Sequence, residues 1–253
     1  MRMVEVGGQK TRLLDEGQGP VVVVLHGWGG RIESMSPVIR CLSARFRVLA
    51  LDLPGFGEAP VPAGVWGTPD YAAYVRDVIG TTDIERAHFL GHSFGAKTSL
   101  YLAATHPDLV DKLMLAASSG LRTAPSLGVR AKRLVSRGAR SVGRLGPVGR
   151  RARDMVYDRI ASTDYKEAGA LRPILVNVVN EDLTHLLGRI ASPTLLLWGT
   201  SDDAAPLTHA QMMAKLIPDA GLVTFEGAGH FAYLEHPDSF CRVVRHFLGA
   251  PVT

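Results

Sequence analysis

Three stretches of this chain hold residue types suited to nucleophilic catalysis. In LGHSFGA, residues 90–96, Ser93 stands between Gly91 and Gly95. A short apolar run ends there and a helix-like run begins at Ala96. G-x-S-x-G at a strand-to-helix junction is the pattern of a nucleophile elbow. A tight turn there lifts a serine hydroxyl to the edge of a sheet. The flanking glycines leave room for close-packed backbone, and the N–H groups that open the helix face a developing oxyanion.

A serine hydroxyl needs a base. In GAGHFAYLEHP, His230 lies in a Gly-rich loop late in the chain, after an apolar run. The other histidines sit elsewhere. His88 falls within a strand-like run, and His106 precedes a proline at a helix end. His185, His209, His236 and His246 belong to helical or flanking stretches and are expected at the surface. His26 and His92 adjoin motif glycines and are expected to shape loops and border the pocket. The base in turn needs a carboxylate to fix its tautomer and stabilise the imidazolium. WGTSDDAAP offers Asp202 and Asp203, which chemistry alone does not separate. Asp52, in LDLPGFG, precedes the serine and is read as structural.

These residues need a scaffold. VVVVL at 21–25 is a continuous β-branched run, as in a strand buried on both faces. Runs at 46–51, 86–90, 112–116, 194–198 and 222–225 read the same way. Helical stretches lie between them at about 34–44, 70–80, 94–106, 208–217 and 237–248. Such alternation predicts an α/β fold, a mostly parallel sheet flanked by helices. Ligands of such sheets bind beyond the carboxyl ends of the strands. The Gly-rich loops carrying Ser93, the aspartates and His230 all follow strands.

Residues 120–188 break the alternation. The spacing of Val148, Ala152, Met155, Val156 and Ile160 predicts a helix after Pro147. Asp164 with Glu167 resembles a capping box, and a second helix interrupted near Pro173 is expected. We read a core at 1–120 and 189–253 with a helical insertion at 121–188. Residues 121–160 hold eleven Lys/Arg against Asp154 and Asp158, a net +9, which leaves −5 for the remainder. A basic segment attracts anionic substrates or acidic surfaces, and basic amphipathic helices also bind anionic membranes. Nucleic acid is not expected, because Tyr157 is the one aromatic residue in 121–160 and stacking needs more.

At 253 residues and 46% hydrophobic, the chain supports a sizeable core. No run approaches the roughly 18–20 apolar residues of a membrane span, and the N-terminus shows no signal-peptide pattern. A cytoplasmic protein is expected. Cys41 and Cys241 fit no metal spacing and are expected as free thiols in a reducing compartment. Neither a metal cluster nor a dinucleotide fingerprint stands in the sequence, so no cofactor is expected.

The motifs together resemble the serine-dependent α/β-hydrolase family. VVVVLHGWGG resembles its strand and oxyanion loop, LDLPGFGEAP the next strand and turn, and GHSFGA the elbow. PTLLLWGTSDDAAP resembles the acid loop and GAGHFAYLEHP the histidine loop. The order Ser, Asp, His is that of the family. The resemblance implies Ser93, Asp202 and His230 as catalytic residues, because W-G-x-x-D-x-x-x-P counted from Trp198 gives Asp202. It implies an oxyanion hole from the backbone N–H groups of Trp28 and Phe94, with His26, Gly27, His92 and Phe231 bordering the pocket. It identifies the insertion with the family's cap.

A serine at the elbow differs from the aspartate of haloalkane dehalogenases and epoxide hydrolases. His92 and Phe231 differ from the Asn and Trp common in carbon–carbon bond hydrolases, and G-G-S-W-G of proline iminopeptidases is absent. The implied function is a carboxylesterase-like hydrolase acting on a small ester-like substrate, anionic if the basic segment selects it. A carbon–carbon bond hydrolase of meta-cleavage-type products and a slow-turnover ligand receptor are the alternatives. The sequence does not set the oligomeric state.

Overall fold

The computed structural model describes residues 1–121 and 167–249. The expected helix over Val148–Ile160, Asp164 and the basic residues of 122–160 lie outside the described residues. The chain divides into two compact units, residues 1–121 with 177–253, and residues 122–176.

The first unit holds an eight-stranded sheet. Arg2–Val6 (β1) and Gln9–Glu16 (β2) form an antiparallel hairpin that strand-helix alternation did not predict. Its polar residues hide the strand pattern, but its turn is legible. Gly7 and Gly8 both have positive φ, 57° and 78°, as a two-residue hairpin turn requires. The remaining strands are Val21–Leu25 (β3), Arg47–Leu51 (β4), Ala87–His92 (β5), Val110–Ala116 (β6), Thr194–Gly199 (β7) and Ala220–Phe225 (β8). The order is β1-β2-β4-β3-β5-β6-β7-β8. β2 meets β4 antiparallel, and every pairing from β4 to β8 is parallel. The carboxyl ends of β3 to β8 therefore share one edge of the sheet, and the loops bearing chemistry leave from it.

Helices Ser36–Ser43 (α1), Thr68–Ile79 (α2), Phe94–Thr105 (α3), Arg172–Asn180 (α4), Leu207–Leu216 (α5), Ala232–Glu235 (α6) and Pro237–Phe247 (α7) follow. Pro173 stands in the first turn of α4, directly after a 3-10 turn at Gly169–Leu171, where a proline sacrifices no intrahelical bond. Val22, Val24, Val48, Ala50, Leu90 and Met114 point from the sheet into one cluster with Val38 and Leu42 of α1 and Phe240 and Val244 of α7. α2 and α3 pack together, with α3 also against β5 and β6. Among the described residues no helix is long and apolar enough to cross a membrane.

Segment 177–183 is fixed by a buried charge. Lys97 of α3, 1% exposed, pairs with Glu181 at 3.0 Å and donates to the Val178 carbonyl. Glu181 also accepts from the Thr68 N–H at 2.8 Å and from the Thr68 hydroxyl, at the start of α2.

Cys41 and Cys241 are not free thiols. They are joined as a disulfide between α1 and α7, with their Cα atoms 6.1 Å apart. Helix packing brings together cysteines 200 residues apart, a closeness that spacing in sequence does not reveal. Closing so long a loop restricts the unfolded chain. Reduction, or the double change Cys41→Ser with Cys241→Ser, should lower unfolding stability by about 2–5 kcal/mol, read by urea denaturation. Unchanged stability would mean that the bond adds nothing to the native state.

Candidate active site

The elbow is built by steric exclusion. Ser93 follows β5 directly and precedes α3, with φ 50° and ψ −106°. A side-chain-bearing residue rarely holds such a φ, and holding it costs about 1–3 kcal/mol. The Ser93 N–H donates to the Ala116 carbonyl of β6 at 2.9 Å, and the Lys97 N–H donates to the Ser93 carbonyl at 3.0 Å. A Cβ on Gly95 would collide with the carbonyls of Leu25 and His26, and one on Gly91 with the backbone of Gly95 and Ala96. The chain therefore reverses into α3 against β3 only because both positions are glycine.

The loop that carries Asp202 leaves β7. The Trp198 indole, wholly buried, donates to the Ala205 carbonyl at 2.6 Å and fixes the loop's curve. Asp202 is 6% exposed, whereas Asp203 is exposed. One Asp202 oxygen accepts from the N–H groups of Ala204 and Ala205 at 2.9 and 2.8 Å. The other meets Nδ1 of His230 at 2.8 Å. Burial opposes ionisation of Asp202, but the bonds from His230 and the two amides outweigh it and hold the carboxyl below the usual carboxylate range. An ionised carboxylate can only accept, so Nδ1 of His230 carries the proton of this bond and Nε2 faces away from Asp202.

The loop that carries His230 leaves β8 and is tied to the Asp202 loop by the Ser201 N–H, which donates to the Ala228 carbonyl at 2.9 Å. Glu235 accepts from the Gly229 N–H at 2.9 Å. Phe231, 45% exposed, lies against His230 at 5.3 Å between ring centres.

The loop after β3 is held from below. Asp52, fully buried, accepts from the Ile32 N–H at 2.8 Å and from the Glu58 N–H and Arg12 Nε, both at 3.0 Å. This carboxylate fastens β2, the turn after β4 and the turn at Ile32, in keeping with a structural role. Nε2 of His26 accepts from the Leu53 N–H at 2.9 Å, so Nδ1 bears the proton and donates to the Gly27 carbonyl at 2.7 Å. The Trp28 ring meets Phe94 edge-on at 5.6 Å and Phe56 at 4.9 Å. Tyr71 of α2 adds a further edge-on contact to Phe94 at 4.9 Å. The side chains of Trp28, Phe56, Tyr71 and Phe94 thus form one aromatic cluster that joins the loop after β3 to the start of α3.

His26 and His92, expected at the border of the pocket, are 1% and 2% exposed and direct nitrogens to main-chain groups of neighbouring loops, at Leu53 and His230. Among the described residues no cluster of three His, Cys, Asp or Glu side chains could hold a metal ion.

Comparison with known proteins matches residues 22–243 to the model of the alpha/beta hydrolase family. The chain is 31% identical to a pimeloyl-[acyl-carrier protein] methyl ester esterase of Neisseria meningitidis serogroup B, over 90% of this chain and 92% of that protein. It is 29% identical to a 2-hydroxymuconate semialdehyde hydrolase of Pseudomonas putida, over 98% of this chain and 93% of that protein. It is similar to the crystal structure of the enol-lactonase from Burkholderia xenovorans LB400, with TM-score 0.76 and 25% identity, over 98% of this chain and 100% of that one.

The strain at position 93 has a measurable consequence. Ser93→Ala keeps a Cβ and should leave the melting temperature nearly unchanged. Ser93→Gly should be more stable than Ser93→Ala by about 1 kcal/mol, since relief of strain exceeds glycine's added unfolded-state entropy. A glycine variant that melts below the alanine variant would show that the turn is unstrained.

Proposed function

We propose that this chain, which belongs to the alpha/beta hydrolase family, is a serine hydrolase that cleaves an ester bond of a small molecule through an acyl-enzyme. One observation carries the reading. A buried carboxylate, Asp202, meets Nδ1 of His230, on loops that share the sheet edge with the strained elbow of Ser93. In this mechanism Nε2 of His230 takes the Ser93 proton as Oγ attacks the carbonyl carbon. The N–H groups of Trp28 and Phe94 receive the oxyanion. His230 returns the proton to the leaving alkoxide. Water, deprotonated by the same imidazole, then releases the acid and restores Ser93.

Two relatives support an ester. One is named a methyl ester esterase, and the other an enol-lactonase, whose substrate class is a cyclic ester. The likeness to a 2-hydroxymuconate semialdehyde hydrolase supports a second reading, hydrolysis of a carbon–carbon bond beside a carbonyl at the same site. We assign selection of the substrate to the inserted segment 121–188 and read it as a cap, with a preference for anionic molecules from its basic sequence.

Assay of a p-nitrophenyl ester chain-length series is the test. Wild type should turn over, and Ser93→Ala should lose about 1,000-fold or more in kcat. Equal activity in both would exclude Ser93 as nucleophile. A wild type inert toward esters but active on a meta-cleavage-type dienoate would favour the second reading.

The acid has its own test. Asp202→Asn should lower kcat by about 10²–10⁴-fold, because an amide can impose the wrong His230 tautomer. Asp203→Asn should stay within about threefold, as expected of an exposed side chain. The reverse ranking would move the acid to Asp203.

A further inference from the structure

His92 precedes the elbow serine, is 2% exposed, and ends β5 opposite Ala116. The proposed mechanism gives it no task, yet it reaches two of the loops that build the site. Its Nε2 lies 2.9 Å from the main-chain carbonyl of His230. A carbonyl only accepts, so Nε2 carries the proton and donates. Its ring centre lies 4.9 Å from that of His230, 5.0 Å from Phe231 and 5.1 Å from Tyr233, all of the loop and short helix after β8. Its other nitrogen faces the loop after β3. A Cβ on Gly27 would come within 2.7 Å of Nδ1, so the ring occupies space that only glycine leaves.

We propose that His92 is a positioning residue, whose Nε2–H holds the His230 main chain at the place where the imidazole meets Asp202. The proposal rests on the reading of Ser93, His230 and Asp202 as a triad. His230 has two anchors in the described structure, Asp202 on its ring and His92 on its carbonyl. A ring held at one nitrogen alone still swings with its backbone. A second contact on the main chain removes that freedom, and displacement of about 1 Å at a reacting group can cost about 100-fold in rate. Burial, with the neighbouring His230 adding to it, pushes the pKa of His92 down to about 3. The ring is therefore neutral at working pH, and its single N–H stays committed to this carbonyl.

The test compares kcat and KM of p-nitrophenyl acetate hydrolysis for wild type, Ser93→Ala, His92→Leu and His92→Gln, with folding checked by circular dichroism. His92→Leu keeps bulk but removes the donor, and His92→Gln places an amide N–H near the same point. The expected result is a loss of about 100-fold in kcat for His92→Leu, with KM within about threefold. His92→Gln should recover about tenfold or more of that loss. Equal losses in the two variants, or no loss in His92→Leu, would overturn the proposal. Should His92→Leu not fold, His92→Met takes its place, and failure of both to fold would show a packing role instead. Wild-type activity in Ser93→Ala would sink the triad reading itself. An inactive Ser93→Ala beside an unimpaired His92→Leu would sink the proposal for His92 alone.

Discussion

Everything in this site depends on reversing the chain within one residue at the end of β5. Ser93 takes a positive φ so that α3 can start beside β3, where its first turn meets the carbonyls of Leu25 and His26. That contact leaves no room for a side chain at position 95, and the turn leaves none at 91. The strain is local and held from several sides. β6 accepts the Ser93 N–H, α3 donates to its carbonyl, and Lys97, one turn on, is paired with Glu181 in the interior. A charge placed there, once paired, is costly to unpair, so the elbow helix has little freedom to relax.

Around the elbow, three histidines meet three different demands. The N–H of Leu53 forces the proton of His26 onto Nδ1. The carbonyl of His230 puts the proton of His92 onto Nε2. Asp202 holds the proton of His230 on Nδ1 and leaves Nε2 bare. His26 and His92 are buried and held below the ordinary histidine range, first by desolvation. They are therefore fixed neutral donors, whereas His230 retains partial access to solvent. One residue type supplies two struts and one candidate base, and environment alone makes the difference.

Much of this was legible in the chain. Short, mostly apolar runs marked the six parallel strands, because strands buried on both faces need no polar alternation. G-x-S-x-G marked the elbow, whereas the choice of Asp202 over Asp203 came from the resemblance, counted from Trp198, and Asp202 is the one that meets His230. The hairpin Arg2–Val6 with Gln9–Glu16 was missed because its part-exposed strands mix charges among their apolar residues, although Gly7-Gly8 signals its turn. The Cys41–Cys241 bond was missed because helices α1 and α7 meet through tertiary packing, which spacing does not encode. The same limit hid the bond from His92 to the His230 carbonyl across 138 residues. Asp52 was read as structural from its place before the serine, and its bonds to three separate segments suit that role.

The most direct measurement is covalent trapping. The intact protein would be incubated with a fluorophosphonate, which reacts with a serine oxygen only where a base activates it. Peptide mass spectrometry would then locate the adduct. A single adduct on Ser93, abolished by Ser93→Ala and slowed by Asp202→Asn, is the predicted result. An adduct on another residue, or labelling of Ser93 at the same rate in Asp202→Asn, would contradict a nucleophile driven by the His230–Asp202 pair.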